Sequence, residues 1–139
     1  MMYLLDTMVI SELRKRRRRP GLVAWITSIA EANLFLSAVT IGEIELGIES
    51  QRRRNPQYAT ELESWLESVV RVYADRILPL DIAAARRWGR LAARIGNKGL
   101  DLAIAATALE RGLTVVTRDV AHFQPTGVDV LNPFEPRSG

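Results

Sequence analysis

Tyr3-Leu4-Leu5-Asp6-Thr7-Met8-Val9-Ile10 is the stretch on which the reading of this chain turns. Tyr3 to Leu5 is a short apolar run that stops at an acid and a hydroxyl. Val9, Ile10 and Leu13 then recur at helical spacing. A strand that passes directly into a helix, with an aspartate at the joint, is the opening of a β-α unit, and the rest of the chain repeats that alternation.

Pro20-Gly21 breaks the chain, and Leu22, Trp25, Ile26 and Ile29 mark a second helix. Leu34-Phe35-Leu36-Ser37 reads as the second strand. Thr40-Ile41-Gly42-Glu43 has the form of a capping box and opens a helix buried through Ile41, Ile44 and Ile48. Leu62, Trp65, Leu66, Val69 and Val70 define a longer amphipathic helix, and Ile77-Leu78-Pro79-Leu80 a brief third strand. Asp81 is placed to cap a helix carrying Ala85, Trp88, Leu91, Ala92 and Ile95, which Gly96-Asn97 ends. From Asp101 the run Leu102 to Ala106 is apolar on nearly every side, so this helix is expected to be buried on several faces until Gly112. Leu113 to Thr117 is a β-branched fourth strand, Arg118 to Phe123 a turn or short helix, and Val128 to Leu131 a fifth strand. The predicted fold is a three-layer α/β/α sandwich with a mainly parallel central sheet of four to five strands joined by right-handed crossovers. One domain over residues 1–132 is expected, with 133–139 as a loose tail.

The composition agrees with a single core. The chain has 139 residues, 47% of them hydrophobic and a quarter charged, which suits one globular domain and is short for two. No apolar stretch approaches the length needed to cross a bilayer, and the first ten residues lack the marks of a signal peptide, so a cytoplasmic protein is expected. Without cysteine, disulfide scaffolds, thiolate zinc sites and cysteine nucleophiles are excluded. The three tryptophans lie on amphipathic faces and are expected to pack in the core. The net charge is +3, and Arg14 to Arg19 and Arg52 to Arg54 form basic runs. Two readings of these runs stand: contact with a polyanion, and the basic ends that helix dipoles favour.

Ligands of open α/β sheets bind beyond the carboxyl ends of the strands. In this chain the residues there are acidic: Asp6 after the first strand, Glu43 one turn into the helix after the second, and Asp119 after the fourth. Asp101 opens the buried helix. Each acid alone is explained by helix capping or a turn. Together, carboxylates at 4 Å repel by about 4 kcal/mol per pair at an effective dielectric near 20. A divalent cation removes that repulsion, and all-oxygen ligation suits Mg²⁺ or Mn²⁺ better than zinc. With no Gly-rich phosphate loop and His122 the lone histidine, set outside the active group, the chemistry left to acids and a metal is phosphodiester hydrolysis.

These motifs resemble the PIN-domain ribonucleases, and among them the VapC-type toxins of type II toxin-antitoxin pairs. The carriers are Leu4-Leu5-Asp6-Thr7 with Val9 to Glu12, Ser37 with Val39-Thr40, Gly42-Glu43 and Gly47, Asp101 with Ile104 to Ala108, Thr117-Arg118-Asp119 with Phe123, and Gly127-Val128 leading to Val130 to Pro133. The resemblance implies a magnesium-dependent endoribonuclease, with Asp6, Glu43, Asp101 and Asp119 as the catalytic, metal-binding acids. It also implies a homodimer, an RNA substrate and a VapB-type antitoxin. This chain departs from relatives in having Met8 where Asn is common, and in the pairing of Asp119 with His122 where an Asn and a later Asp are usual. Met8 also argues against phosphatases of the haloacid dehalogenase type, which need a second Asp at that position, and the lack of an acidic neighbour argues against a receiver domain. The competing reading is a non-catalytic PIN-like module that binds RNA or protein.

Overall fold

The structure is a computed structural model, and it describes residues 1–15, 17–97 and 99–134. Five strands, β1 (Tyr3–Leu5), β2 (Leu34–Ser37), β3 (Ile77–Leu78), β4 (Thr114–Val116) and β5 (Val130–Leu131), form one sheet in the order β3-β2-β1-β4-β5. All four pairings are parallel, with Tyr3 opposite both Leu34 and Thr114. Seven helices connect them among the described residues: α1 (Thr7–Leu13), α2 (Pro20–Thr27), α3 (Ala38–Arg52), α4 (Pro56–Tyr73), α5 (Ile82–Ile95), α6 (Asp101–Arg111) and α7 (Val120–Phe123).

The three layers follow from strand alternation. Leu5, Leu36 and Val116 enter a core shared with α1 to α4, through Val9, Ile10, Leu22, Ile44, Ile48, Leu66 and Val69. Their neighbours Leu4 and Val115 enter a second core with Ile104, Ala105, Ala108 and Phe123. Successive side chains of a strand face opposite sides, so a run of apolar residues is what a sheet covered on both faces requires. Every residue from Leu102 to Ala108 is buried, as the all-round apolar pattern predicted. Gly112 ends α6 at φ +66°, a conformation that a Cβ disfavours.

Several local expectations shift. The helix after β2 starts at Ala38: Ser37, the last residue of the strand, caps it by accepting the Val39 N–H at 3.0 Å, so the Thr40–Glu43 pair is not a capping box. The third strand stops at Leu78, because Pro79 has no N–H to give to a ladder. Val70 is exposed and Tyr73 takes the buried place on α4. Trp25 and Trp65 pack against the first core, and Trp25 meets Tyr3 edge-on at 5.0 Å. Trp88 is 36% exposed and belongs to neither core. Asp81 is the cap expected of it, accepting the Ala84 N–H at 2.9 Å.

Both basic runs adjoin helix ends. Arg14 is the C-cap of α1 and lies over the rings of Tyr58 and Trp65, Lys15 pairs with Glu12, and Arg52 pairs with Glu49 and Glu63. Arg16 lies outside the described residues. At the other end of the chain, Phe134 packs against the first core and under the Arg118 guanidinium. The expectation of a loose tail otherwise falls on residues 135–139, outside those described. Among the described residues no helix is long and apolar enough to cross a membrane.

Candidate metal centre

The parallel sheet brings the carboxyl ends of β1, β2 and β4 to one edge, and each supplies an acid there through the segment that follows it. Asp6 is the most enclosed, 5% exposed. Its backbone N–H continues the ladder by bonding to Val116 O at 3.0 Å. As N-cap of α1 it accepts the Met8 N–H on Oδ1 at 3.0 Å, and the buried Thr117 hydroxyl donates to Oδ2 at 2.6 Å. The capping expectation for Asp6 therefore holds, with the second carboxylate oxygen held from the end of β4. Met8 contributes its backbone; its side chain is 51% exposed.

Glu43 lies in the second turn of α3 and is held from α1. Thr7 donates to Glu43 Oε1 at 2.7 Å and lies 3.0 Å from the hydroxyl of the buried Thr40. A hydroxyl has one proton, so with Thr7 serving the carboxylate, Thr40 is left to donate back to Thr7. Asp119 is exposed at the start of α7, and its N–H bonds to the same Thr117 hydroxyl oxygen that serves Asp6, at 3.0 Å. Its side chain caps no helix.

Asp101 is the first residue of α6 and makes no capping bond. Its carboxyl is pushed above the ordinary aspartate range, first by burial and next by the negative charge of Asp6; Glu43 and Asp119 push the same way and His122 opposes them. The charges of the other three predicted acids are therefore felt at Asp101. A half-buried carboxyl that feels the charge of three others gains from a cation held near it. His122 Nε2 stands 3.1 Å from Asp101 Oδ2, so the residue set outside the active group lies against one of its members. Thr7, Thr40 and Thr117 support these acids, although the sequence offered Thr40 only as a cap and Thr7 and Thr117 only as parts of the family motifs. The signal for two of them was position, since Thr7 and Thr117 sit beside the acids at the ends of β1 and β4.

The donor chemistry fits a hard divalent cation: carboxylate oxygens with threonine hydroxyls behind them, and no sulfur. Among the described residues no three Asp, Glu or His side chains are already arranged to enclose an ion. Mg²⁺ does not require such a cage, because it keeps several waters and is commonly held by one or two carboxylates plus substrate phosphate. Beside Thr7 and Glu43 a cleft of about 250 Å³ runs between α1, α3 and α4, with Arg14, Tyr58 and Trp65 along it. A larger cavity of about 390 Å³, lined by Leu13, Ile26, Tyr73 and Arg76, includes none of the four acids. Of the four acids the smaller cleft is lined by Glu43, so it borders the acidic edge without enclosing it.

Comparison with known proteins agrees with this geometry. The PIN domain family matches residues 3–126. The chain is 37% identical to the VapC ribonuclease Y4jK of Sinorhizobium fredii, over 97% of this chain and 99% of that protein. It is 34% identical to the toxin FitB of Neisseria gonorrhoeae, over 96% and 99%. The crystal structure of FitAcB from Neisseria gonorrhoeae superposes with a TM-score of 0.85 at 36% identity, covering 97% of this chain and all of that one. With a parallel sheet that gathers its acids at one edge and relatives matched from end to end, this chain belongs to the PIN-domain family, among its VapC-type members.

Proposed function

We propose that this protein is a Mg²⁺-dependent endoribonuclease, with Mn²⁺ as a substitute ion, acting in the cytoplasm as the toxin of a type II toxin-antitoxin module. The observation that carries the reading is the delivery of Asp6, Glu43 and Asp119 to one edge of a parallel sheet, with Asp101 opening the buried helix beside it and its carboxyl pushed up by burial and by their charge. Folding such a set together is costly without a cation to offset the repulsion.

Asp6 and Asp101 are the first ligands in this reading, with Glu43 and Asp119 completing the acidic set. The bound ion would supply a polarised phosphoryl oxygen and a bound water of lowered pKa. The chain's own residues do the rest. Thr117 and the Met8 N–H fix the two oxygens of Asp6, so its lone pairs are directed before any ion arrives. Thr7 fixes Glu43, which retains an oxygen free of that bond to accept a water proton. His122 offers a positive partner to Asp101 when protonated.

The names of the relatives support the activity and the partner. Y4jK is named a ribonuclease and FitB a toxin, and the similar solved structures are of FitAcB and of FitAB bound to a DNA fragment. A VapB-type antitoxin is accordingly the partner proposed here, with a homodimer as the assembly. The test mixes purified protein with total RNA in Mg²⁺ or in EDTA, alongside Asp6→Asn and Asp101→Asn. Cleavage that requires Mg²⁺ and is lost in both variants is expected. RNA left intact by wild type under all metal conditions would favour a binding module that does not cut.

A further inference from the structure

Helix α5 divides its arginines into two sets. Arg87 is paired with Glu110 at 2.6 Å, and Arg111 of α6 reaches Asp81 at 3.3 Å. These contacts tie the start of α5 to the end of α6, so the end of α5 lies beside the start of α6, where Asp101 stands. Residues 96–100 make the connection. The second set, Arg86, Arg90 and Arg94, recurs every fourth residue and is exposed throughout, away from the buried Ala84 and Leu91.

Four residues advance a helix by about 6 Å, so the three guanidinium groups form a ladder about 12 Å long leading to the acidic site. Ala83, Gly89 and Ala93 share that side and are exposed, and a Cβ added to Gly89 would meet nothing within 4 Å. Among the described residues none of the three arginines forms a salt bridge. Like charges four residues apart weaken a helix, and only Arg94, in the last turn of α5, gains from the helix dipole, so neither effect explains the ladder as a whole. It does answer a problem of the site. Four carboxylates repel a polyanion, and a substrate phosphate approaches them only if positive charge nearby holds the neighbouring phosphates. Guanidinium groups suit that task because they grip phosphate oxygens in pairs.

We infer that the Arg86–Arg90–Arg94 face of α5 is the track on which the backbone of a single-stranded RNA lies as it enters the acidic site. This rests on the ribonuclease reading above. The ladder repeats at intervals comparable with successive phosphates of an extended strand. It makes no base contacts, so it contributes affinity and placement but no sequence preference.

The test is binding of a short fluorescein-labelled single-stranded RNA to the full chain in EDTA, followed by anisotropy over a range of KCl, with cleavage in Mg²⁺ measured separately. The variants are Arg86→Ala/Arg90→Ala/Arg94→Ala, its all-lysine counterpart, and a control that removes equal charge elsewhere, Arg17→Ala/Arg53→Ala/Arg54→Ala. Since single-stranded binding has a salt slope of about 0.7 per phosphate neutralised, the ladder variant is expected to lose about 2 from the slope and at least about tenfold in affinity. The lysine variant keeps most of the slope, and the control keeps more than the ladder variant. Thermal stability should not fall, as all three side chains are exposed and their mutual repulsion is removed. Wild-type binding by the ladder variant, an equal loss in the control, or no RNA binding by wild type overturns the track. So does normal RNA binding with loss of a protein partner, which would make this face a protein surface. If wild type binds RNA through the ladder but cuts nothing, the track stands and the ribonuclease reading falls.

Discussion

The Thr117 hydroxyl donates to Asp6 Oδ2 at 2.6 Å, while the Asp6 N–H bonds to Val116 O at 3.0 Å, so the ends of β1 and β4 are fastened twice at the edge where the acids meet. The sheet ladder thus extends directly into the site. The same Thr117 oxygen accepts the Asp119 N–H, which makes one buried hydroxyl the support of two of the four acids.

Thr117→Val keeps the shape and removes both bonds. A hydrogen bond to a charged group contributes about 1.5–3 kcal/mol, so thermal stability should fall by that order. Loss of a partner that orients a metal ligand costs about 10- to 100-fold in metal affinity. Titration calorimetry with Mn²⁺ should show this loss in Thr117→Val and a much smaller one in Thr117→Ser. Equal affinities in wild type and the valine variant would show that Asp6 needs no such support.

Glu12 gives a pH prediction away from the metal site. Its side chain is 10% exposed, and Lys15 at 2.9 Å, with Arg118 and Arg19 behind it, holds its carboxyl below the ordinary value of 4.5. A depressed carboxyl pKa means that the stabilisation is present above the unfolded value and is lost as pH falls through the folded one. Glu12→Gln should therefore melt below wild type at neutral pH, with the gap narrowing once pH drops under about 4.5. A gap independent of pH would show that the ion pair contributes nothing.

Ala74, the C-cap of α4, has φ +45° and ψ −116°, a backbone conformation that Cβ opposes. Glycine adopts it without that penalty. Ala74→Gly should stabilise the protein by about 1 kcal/mol, the lower end of the cost of such strain, and raise the midpoint of thermal unfolding. An unchanged or lower midpoint would show that the strain is offset by the alanine's own contacts.

The parts legible in the sequence are those set by local chemistry. Tyr3 to Leu5 had to be covered on both faces, Leu102 to Ala106 had to be buried all round, and Asp81 had the placement of a cap; each holds. Parallel strands then carry Asp6, Glu43 and Asp119 to one edge by topology alone. What the sequence hid was decided by partners distant along the chain. Thr40 reads as a cap, but Thr7 lies 3.0 Å away across the site and Ser37 caps the helix first. His122 reads as a loop residue until α7 sets it against Asp101. Trp88 carries the apolar signal of its helix but sits at its margin, where the second core has ended.

The central claim is that Asp6, Glu43, Asp101 and Asp119 serve one cation. Its most direct test is calorimetric titration of Mn²⁺ into the wild-type chain and into Asp6→Asn and Asp101→Asn, at neutral pH with thermal unfolding as the control for folding. Saturable binding in wild type that weakens by at least about tenfold in each variant is predicted. Binding undiminished in both variants, or none in wild type, would contradict the account.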